Sequence, residues 1–172
     1  AFALPLIQHF SEHPAKPRPR KVRALILSPT RELASQIHDN ITAYAKGQNL
    51  STAVIFGGVG YAPQFRKLAA GLDILVATPG RLIDHLERQT VNLDQVETLI
   101  LDEADHMLDM GFAPALKKIV AKIPRQRHTQ MFSATMPDNI RQLAQAFLQE
   151  PETVMVTPPS ATADRVEQSL CM

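Results

Sequence analysis

Residues 96–112 read VETLILDEADHMLDMGF, and this stretch decides the predicted fold. Its apolar run, Thr98 to Leu101, is short and bounded, which is typical of a strand buried on both faces of a parallel sheet. Three carboxylates, Asp102, Glu103 and Asp105, follow within four residues. Open α/β sheets place their ligand sites at the carboxyl ends of their strands. The stretch therefore predicts a buried parallel strand that brings acidic side chains to a ligand site.

Acidic side chains packed this closely repel one another unless a cation or hydrogen-bond donors offset their charge. A magnesium ion that carries nucleotide phosphates suits such a cluster, because magnesium keeps several waters and takes one or two carboxylates. Residues 102–105 also suit the start of the following helix, where acidic side chains complement the helix dipole. The strand before them and the motifs on other strands favour the ligand site over simple helix capping.

Strands and helices alternate along the rest of the chain. Strands are predicted over residues 22–27, 52–56, 73–77, 97–101, 129–132 and 153–156. Amphipathic periodicity predicts helices over residues 1–13, 31–45, 61–70, 79–88, 111–123 and 137–149. The basic, proline-rich residues 14–21 are interpreted as an exposed connector, with an RNA-touching patch as the alternative. The alternation predicts an α/β fold, a doubly wound and mainly parallel sheet with helices on both faces.

The composition is that of an ordinary globular domain. The 172 residues are 45% hydrophobic and 20% charged, which allows a substantial core. A formal net charge of +1 provides no global field toward nucleic acid, so nucleic-acid binding needs a local patch. Cys171 is the single cysteine, which excludes an internal disulfide and predicts a reducing, cytoplasmic location. No apolar run approaches about 18 residues, so no membrane-spanning helix is expected.

Four of the predicted strands end in turns with unusual chemistry. The turns read SPTREL at residues 28–33, GG at 57–58, TPGR at 78–81 and SAT at 133–135. Each turn alone is a weak signal, because a helix start or a simple turn accounts for it. All four turns lie at the carboxyl ends of strands, around the acidic residues 102–105, which we call the acidic stretch. This combination is specific for one shared ligand site.

The first three turns offer hydroxyl groups, guanidinium groups, glycine backbone and predicted helix N-termini. These groups bind a phosphodiester backbone without reading its bases. The sequence has no tryptophan and two tyrosines, so a base-stacking platform is poorly supported. We therefore expect a single nucleic-acid strand to be held through sugar and phosphate by Thr30, Arg31, Gly57, Gly58, Thr78 and Arg81.

The acidic stretch with its following MLDMGF, together with the four turns, resembles the DEAD-box RNA helicases and is most similar to their bacterial RhlE-type subgroup. The resemblance implies a RecA-like fold and an enzyme that couples hydrolysis of ATP, with Mg²⁺, to unwinding or remodelling of RNA duplexes. It makes Asp102 and Glu103 catalytic, with Asp102 on magnesium through water and Glu103 on the attacking water. It adds Asp105 to the nucleotide-binding set. It also assigns Asp105, Ser133 and Thr135 to the coupling of nucleotide state to domain closure.

The same resemblance implies a set of RNA-binding residues. Lys67 stands where many family members carry arginine, so the charge is kept and the fork of the guanidinium is lost. His106 replaces the arginine that is common after the last acid, and a surface helix residue is its simpler interpretation. The RNA-binding set is Pro29, Thr30, Arg31, Gly57, Gly58, Gln64, Lys67, Thr78, Pro79, Gly80 and Arg81.

Parts of the family pattern are absent from these 172 residues. No G-x-x-x-x-G-K-[ST] phosphate loop occurs in the sequence, nor does a second domain. We expect residues 1–157 to be a partial N-terminal RecA-like domain and residues 158–172 to be the interdomain linker and the start of the second domain. The chain begins in mid-pattern, so we expect upstream residues, among them an internal strand beside the strand that ends at Ser133.

Two alternatives stand beside the helicase interpretation. The parent protein is expected to be an ATP-dependent RNA helicase whose partners are RNA and its own second RecA-like domain, whereas this fragment alone is expected to be inactive. A DNA-acting helicase-like ATPase is one alternative, because a grip on the backbone does not distinguish the two nucleic acids. A non-enzymatic RNA-binding fragment is the other, and a lysine-bearing phosphate loop upstream in the gene would decide against it.

Overall fold

The computed structural model describes residues 2–156, in which strands and helices alternate as predicted. The strands are β1 (Val22–Leu27), β2 (Thr52–Ile55), β3 (Leu72–Ala77), β4 (Thr98–Leu101) and β5 (His128–Met131). The helices are α1 (Ala3–Glu12), α2 (Arg31–Tyr44), α3 (Tyr61–Ala69), α4 (Pro79–Glu87), α5 (Ala104–Asp109), α6 (Ala113–Val120) and α7 (Asp138–Phe147).

The five strands described form one sheet in the order β2-β3-β1-β4-β5, and every pairing is parallel. In the centre, Ala24 of β1 lies opposite Ile74 of β3 on one side and Thr98 of β4 on the other. All six residues of β1 are buried, as expected for a strand covered on both faces. The predicted doubly wound α/β sheet is confirmed.

The core consists of one apolar layer on each face of the sheet. Alternate side chains of β1 point to opposite faces, so Leu25 and Leu27 join one layer while Ala24 and Ile26 join the other. The first layer is covered by α3, α4, α5, α6 and α7, and the second by α1 and α2. Helices therefore cover both faces and leave the strand ends free to build a site.

An ion-pair cluster around the buried Arg23 ties together the amino ends of the central strands. Arg23 of β1 contacts Asp73 of β3 at 3.2 Å and Glu97 at 2.6 Å. Its guanidinium carbon lies 4.1 Å from the centre of the Phe10 ring, and the same group donates to the carbonyl of His13 at 3.1 Å. The cluster fixes α1 and the following connector against the sheet, at the end opposite the acidic stretch.

The predicted strand over residues 153–156 is wrong, because these residues form no strand. Val154, Met155 and Val156 are 87%, 81% and 88% exposed. A strand needs a neighbour to pair with. Within residues 2–156, β5 pairs with β4 alone, and residues 153–156 do not pair with its outer edge.

The helix predicted over residues 111–123 is shorter than expected. It is observed as α6, and a separate helix, α5, precedes it. Gly111 lies between the two with a φ of +78°, a left-handed conformation that ends α5 and that glycine adopts without strain. The predicted linker and second-domain start at residues 158–172 lie outside the described residues.

No helix among residues 2–156 is long and apolar enough to cross a membrane. The cytoplasmic location stays a prediction.

Candidate functional site

The carboxyl ends of all five strands meet along one edge of the sheet. A row of backbone hydrogen bonds crosses this edge just beyond the strands, each amide donating to the last residue of the neighbouring strand. The bonds run from Thr78 to Ile55 (3.1 Å), from Ser28 to Ala77 (3.1 Å), from Asp102 to Leu27 (3.0 Å) and from Phe132 to Leu101 (2.8 Å). The row places all four turns and the acidic stretch side by side.

The basic and glycine-bearing turns surround a cleft of about 560 Å³, the phosphate cleft. Its floor combines residues of the first three turns with two side chains from the segment after the acidic stretch. Gly58, Gln64, Lys67 and Pro79 belong to the predicted RNA-binding set but do not line the cleft. The lining residues are Pro29, Thr30, Arg31, Glu32, Gly57, Thr78, Gly80, Arg81, Asp84, Met110 and Phe112.

Two helices begin at the phosphate cleft. Thr30 caps α2, and its hydroxyl accepts a hydrogen bond from the amide of Leu33 at 3.3 Å. Thr78 precedes α4, in which Pro79 takes the first helical position. Helix N-termini carry unpaired amides and a partial positive charge, so both favour an anion in the cleft.

Arg31 and Gly58 contact each other beside the cleft. Gly58 has a φ of +77°, and a Cβ atom at this position would collide with the Arg31 guanidinium. Arg31 is exposed, and its guanidinium carbon lies 5.2 Å from the centre of the Phe56 ring. Glycine at position 58 therefore leaves room for an exposed cation at the mouth of the cleft.

Arg81 differs from Arg31 because its side chain is nearly buried. It is 8% exposed, it donates to the Val59 carbonyl at 3.0 Å, and it stacks 4.2 Å from the centre of the Tyr61 ring. Its Nε atom is buried without a hydrogen-bond partner within residues 2–156 and lies 3.7 Å from the Asp84 carboxylate. Arg81 lines the cleft and at the same time supports the loop after β2.

Gln64 points into the protein, and Lys67 lies on the exposed side of α3. Gln64 is 5% exposed, and its amide nitrogen donates to the carbonyls of Phe56 at 3.2 Å and Gly60 at 3.4 Å. Its amide oxygen lies 3.2 Å from Nε2 of His85. Sequence reasoning missed His85, since a lone histidine in an amphipathic helix carries no signal of such a contact.

The acidic stretch places Asp102 and Glu103 in different environments. Asp102 is half-buried, and burial, followed by the neighbouring charge of Glu103, raises the pKa of its carboxyl. Glu103 is exposed and has a φ of +52°, a left-handed conformation that costs a non-glycine residue about 1–3 kcal/mol. Its carboxylate lies 3.3 Å from Nδ1 of His106. A cation next to Asp102 would relieve the cost of its partly buried charge.

Asp105 links the acidic stretch to the turn after β5. One of its carboxylate oxygens accepts hydrogen bonds from both the amide and the hydroxyl of Thr135, each at 2.9 Å. Burial raises the pKa of Asp105, but these bonds outweigh it and the net pKa is lowered, with a smaller contribution from Ser133. The Ser133 hydroxyl donates to the Thr135 carbonyl at 2.8 Å and so braces the turn. The predicted coupling residues lie in direct contact.

Within residues 2–156, no group of three or more histidine, cysteine, aspartate or glutamate side chains could hold a metal ion. Magnesium does not need such a group, because it keeps several waters and takes one or two carboxylates together with substrate phosphates. The half-buried carboxylate of Asp102 therefore fits a hydrated magnesium ion that arrives with a nucleotide.

Comparisons with known proteins agree with this geometry. The DEAD/DEAH box helicase family matches residues 1–143. ATP-dependent RNA helicase CshA of Listeria monocytogenes is 40% identical over 168 residues, which cover 98% of this chain and 31% of that protein. ATP-dependent RNA helicase DBP2 of Ajellomyces capsulatus is 47% identical over 149 residues, which cover 87% of this chain and 28% of that protein.

A crystal structure of a DEAD box protein from the hyperthermophile Methanococcus jannaschii shares the fold. It is 42% identical with a TM-score of 0.78, and the likeness covers 87% of this chain and 39% of that one. The chain spans 31% and 28% of the two helicase relatives. The similarity to CshA and DBP2 leaves the RhlE-type subgroup a prediction.

Proposed function

The chain belongs to the DEAD/DEAH box helicase family, and from this premise we propose that it is part of the N-terminal RecA-like domain of an ATP-dependent RNA helicase. One observation carries the proposal. A single sheet edge holds the acidic stretch and, beside it, a cleft lined by two helix N-termini, glycine backbone and arginines. In the proposal, nucleotide chemistry and strand binding take place at adjacent strand ends.

The phosphate cleft is the proposed binding site for one RNA strand. The exposed Arg31 supplies a cation, and the N-termini of α2 and α4 supply amides and partial positive charge. None of these groups reads a base edge, so the proposed binding depends on the backbone and not on base sequence. In the proposal, the exposed Gly58 and Lys67 extend this surface. Gln64 and Arg81 are nearly buried and also support the loop after β2 through its carbonyls.

The acidic stretch is the proposed catalytic part of the nucleotide site. Magnesium-bound ATP supplies a phosphoryl group whose transfer to water needs charge neutralisation and an oriented water. Asp102 would hold the magnesium ion through water, which fits its half-buried carboxylate. Glu103 would orient the attacking water, because its carboxylate is exposed at the end of the strand. The lysine-bearing phosphate loop would come from outside the 172 residues.

Asp105 and Thr135 are the proposed link between hydrolysis and strand binding. Their double hydrogen bond joins α5, which follows the acidic stretch, to the turn between β5 and α7. A shift of the acidic stretch would be transmitted to this turn. In the proposal the turn faces the second RecA-like domain of the same protein and couples the nucleotide state to closure of the two domains.

The test is ATP hydrolysis and duplex unwinding by the full-length protein in the presence of single-stranded RNA or DNA of matched sequence. We expect RNA to stimulate hydrolysis at least tenfold and duplex RNA to be separated only when ATP is present. Stimulation by DNA in place of RNA would assign the protein to the DNA-acting ATPases. RNA binding without any hydrolysis by the full-length protein would make it a binding protein and not an enzyme.

A further inference from the structure

A buried hydrogen-bond chain joins α3 to α4 beneath the phosphate cleft. His85 of α4 is fully buried, its Nε2 lies 3.2 Å from the amide oxygen of Gln64, and its Nδ1 lies 2.8 Å from the Thr90 hydroxyl. The rings of Tyr61 and Phe65 pack against His85 with centroid distances of 5.7 and 5.3 Å. We call Thr90, His85 and Gln64 the His85 chain.

The hydrogen bonds of the His85 chain assign one neutral tautomer to the histidine. Gln64 uses its amide protons on the carbonyls of residues 56 and 60, so its oxygen must accept the Nε2 proton of His85. Nδ1 is then unprotonated and accepts the single Thr90 hydroxyl proton at 2.8 Å. The His85 carbonyl lies 3.0 Å from the same hydroxyl, but it already accepts from the Thr90 amide. Burial, followed by the charge of Arg81, lowers the pKa of His85 from 6.5 to about 4, so the ring stays neutral near pH 7.

The far end of the His85 chain shapes the loop of residues 57–60. Gln64 holds the carbonyls of Phe56 and Gly60, and Arg81 holds the carbonyl of Val59. In the described part of the chain, the amides of residues 57–60 donate to no protein acceptor. Carbonyls held toward the interior and amides left unpaired are the arrangement that favours a phosphate over a cation.

We propose that the His85 chain positions the loop of residues 57–60 for the RNA backbone, and that Gln64 and His85 are positioning residues for strand binding. Gln64 then acts through the loop, because its side chain is buried and its polar atoms face Phe56, Gly60 and His85. The inference rests on the proposed function, since it names residues that tune the same cleft. The proposed positioning requires the hydrogen bond from Nε2 of His85 to Gln64, and a side chain that only fills the volume of the histidine ring would not replace it.

Two substitutions at position 85 of the full-length protein distinguish the effect of the Nε2 hydrogen bond from the effect of side-chain packing. His85→Gln places an amide nitrogen near the position of Nε2 and can still donate to Gln64. His85→Asn is shorter, reaches only the Thr90 side, and leaves the Gln64 oxygen unpaired. We expect His85→Asn to weaken binding of single-stranded RNA about five- to tenfold, the size of one lost buried hydrogen bond. His85→Gln should stay within about twofold of the wild type, a smaller loss than that of a hydrogen bond.

Two further measurements distinguish a positioning role of His85 from a general effect on stability. The salt dependence of RNA binding should be unchanged in His85→Asn, because no cation that contacts phosphate is removed. On RNA binding, the amides of residues 57–60 should gain less protection from hydrogen exchange in this variant than in the wild type, because the loop no longer presents them to the phosphates. Ser51→Ala is the control, since the Ser51 hydroxyl donates to the Asp73 carboxylate at 2.8 Å near the amino ends of β2 and β3, at the edge opposite the phosphate cleft. It should lower thermal stability and leave RNA affinity unchanged.

Equal weakening by His85→Gln and His85→Asn would overturn the inference, because packing would then explain the effect. Wild-type affinity in His85→Asn would overturn it as well. If His85→Asn does not fold, Thr90→Val decides, since it removes the hydroxyl that orients the ring and should weaken binding measurably without the loss of a core side chain. Failure of the wild type itself to bind single-stranded RNA would refute the proposed function instead.

Discussion

At the scale of single residues, two neighbouring carboxylates differ because their surroundings differ. Asp102 is half-buried with a raised pKa, whereas Glu103 is exposed on a left-handed backbone at the start of α5. The same contrast separates Arg31, which is exposed, from Arg81, which is held by Val59. In each pair, the two side chains carry the same kind of charge but differ in burial, because they lie at different positions relative to the sheet edge.

The first prediction concerns Glu103. In the full-length protein, Glu103→Gln should lower ATP hydrolysis by at least a hundredfold, within the range typical of a lost general base. Binding of magnesium–ATP should change by less than about twofold, because the amide keeps the size of the carboxylate and Asp102 is untouched. Steady-state hydrolysis and equilibrium nucleotide binding measure the two effects, with the exposed Asp109→Asn on α5 as the control. Hydrolysis within about tenfold of the wild type would remove Glu103 from this role.

The second prediction concerns the exposed Arg31. Arg31→Ala should weaken single-stranded RNA binding for every base composition and lower the salt slope by about 0.7, the value for one phosphate contact to a single strand. Binding titrations between low and moderate salt on several homopolymers provide the measurement. Arg125→Ala, an exposed arginine that does not line the cleft, should leave the slope as it is. A loss confined to one base composition would indicate base readout.

The third prediction follows from the lowered pKa of His85. In the unfolded chain this histidine titrates near 6.5, whereas in the fold its pKa is about 4. Between these values the unfolded state binds the proton and the folded state does not, so stability falls as the pH decreases. The loss attributable to His85 should reach about 2 kcal/mol at pH 5. Urea unfolding of the wild type and of His85→Gln at pH 7 and pH 5 should show this difference, and parallel losses in the two proteins would contradict it.

At the scale of elements, the turn between β5 and α7 is connected to α5 by Asp105 and Thr135. Both hydrogen bonds end on the same carboxylate oxygen, and the Ser133 hydroxyl braces the turn from its other side. The arrangement joins the ends of two neighbouring strands, and the Asp105 carboxylate is held by hydrogen bonds from Thr135. It suits the transmission of movement and not the chemical step.

The fourth prediction tests that connection. Changing both Ser133 and Thr135 to Ala should reduce duplex unwinding by the full-length protein at least tenfold more than it reduces ATP hydrolysis. Asp105 then loses the hydroxyl bond and keeps only the bond from the amide of residue 135, and the turn loses its Ser133 brace, while Asp102 and Glu103 keep their places. Unwinding and hydrolysis are measured on the same preparation with the same RNA. Ser11→Ala together with Thr42→Ala, two exposed residues of α1 and α2, serves as a composition-matched control. Equal losses of the two activities would make the pair catalytic or simply structural.

At the scale of the whole molecule, the protection of backbone amides from hydrogen exchange is expected to decrease from the centre of the sheet to the β5 edge. β1 has strands on both sides and is fully buried, whereas β5 pairs with β4 alone among the described strands and has no fully buried residue. The outer side of β5 forms a groove of about 520 Å³ that includes Met131 and Phe147. An open strand edge of this kind offers unpaired amides and carbonyls.

The fifth prediction is a gradient of hydrogen exchange in the 172-residue chain. Amides of β5 should exchange at least a hundredfold faster than those of β1, because opening of an edge strand disrupts one ladder and opening of a central strand disrupts two. Exchange followed by mass spectrometry of peptides from 22–27 and 128–131 gives the comparison. Equal protection of the two strands would show that another chain or segment covers the β5 edge.

The sequence by itself determined the sheet and the place of the acidic stretch. Short apolar runs predicted β1, β3 and β4 because strands buried on both faces are largely apolar, and parallel strands bring their carboxyl ends to one edge. Asp102, Thr78 and Arg31 could therefore be assigned to one site before their distances were known. The predicted strand over 153–156 failed because pairing depends on a neighbour and not on local residue preference.

Only the tertiary structure decided which residues of that site face outward. Gln64 and Arg81 belong to the same predicted set as Arg31, yet both side chains are nearly buried, with carbonyls of the loop after β2 as their partners. The contact between Gln64 and His85 joins residues 21 positions apart, on two different helices. Sequence periodicity records which side of a helix is apolar, but a hydrogen bond between two helices depends on how they pack, and packing is a property of the whole fold.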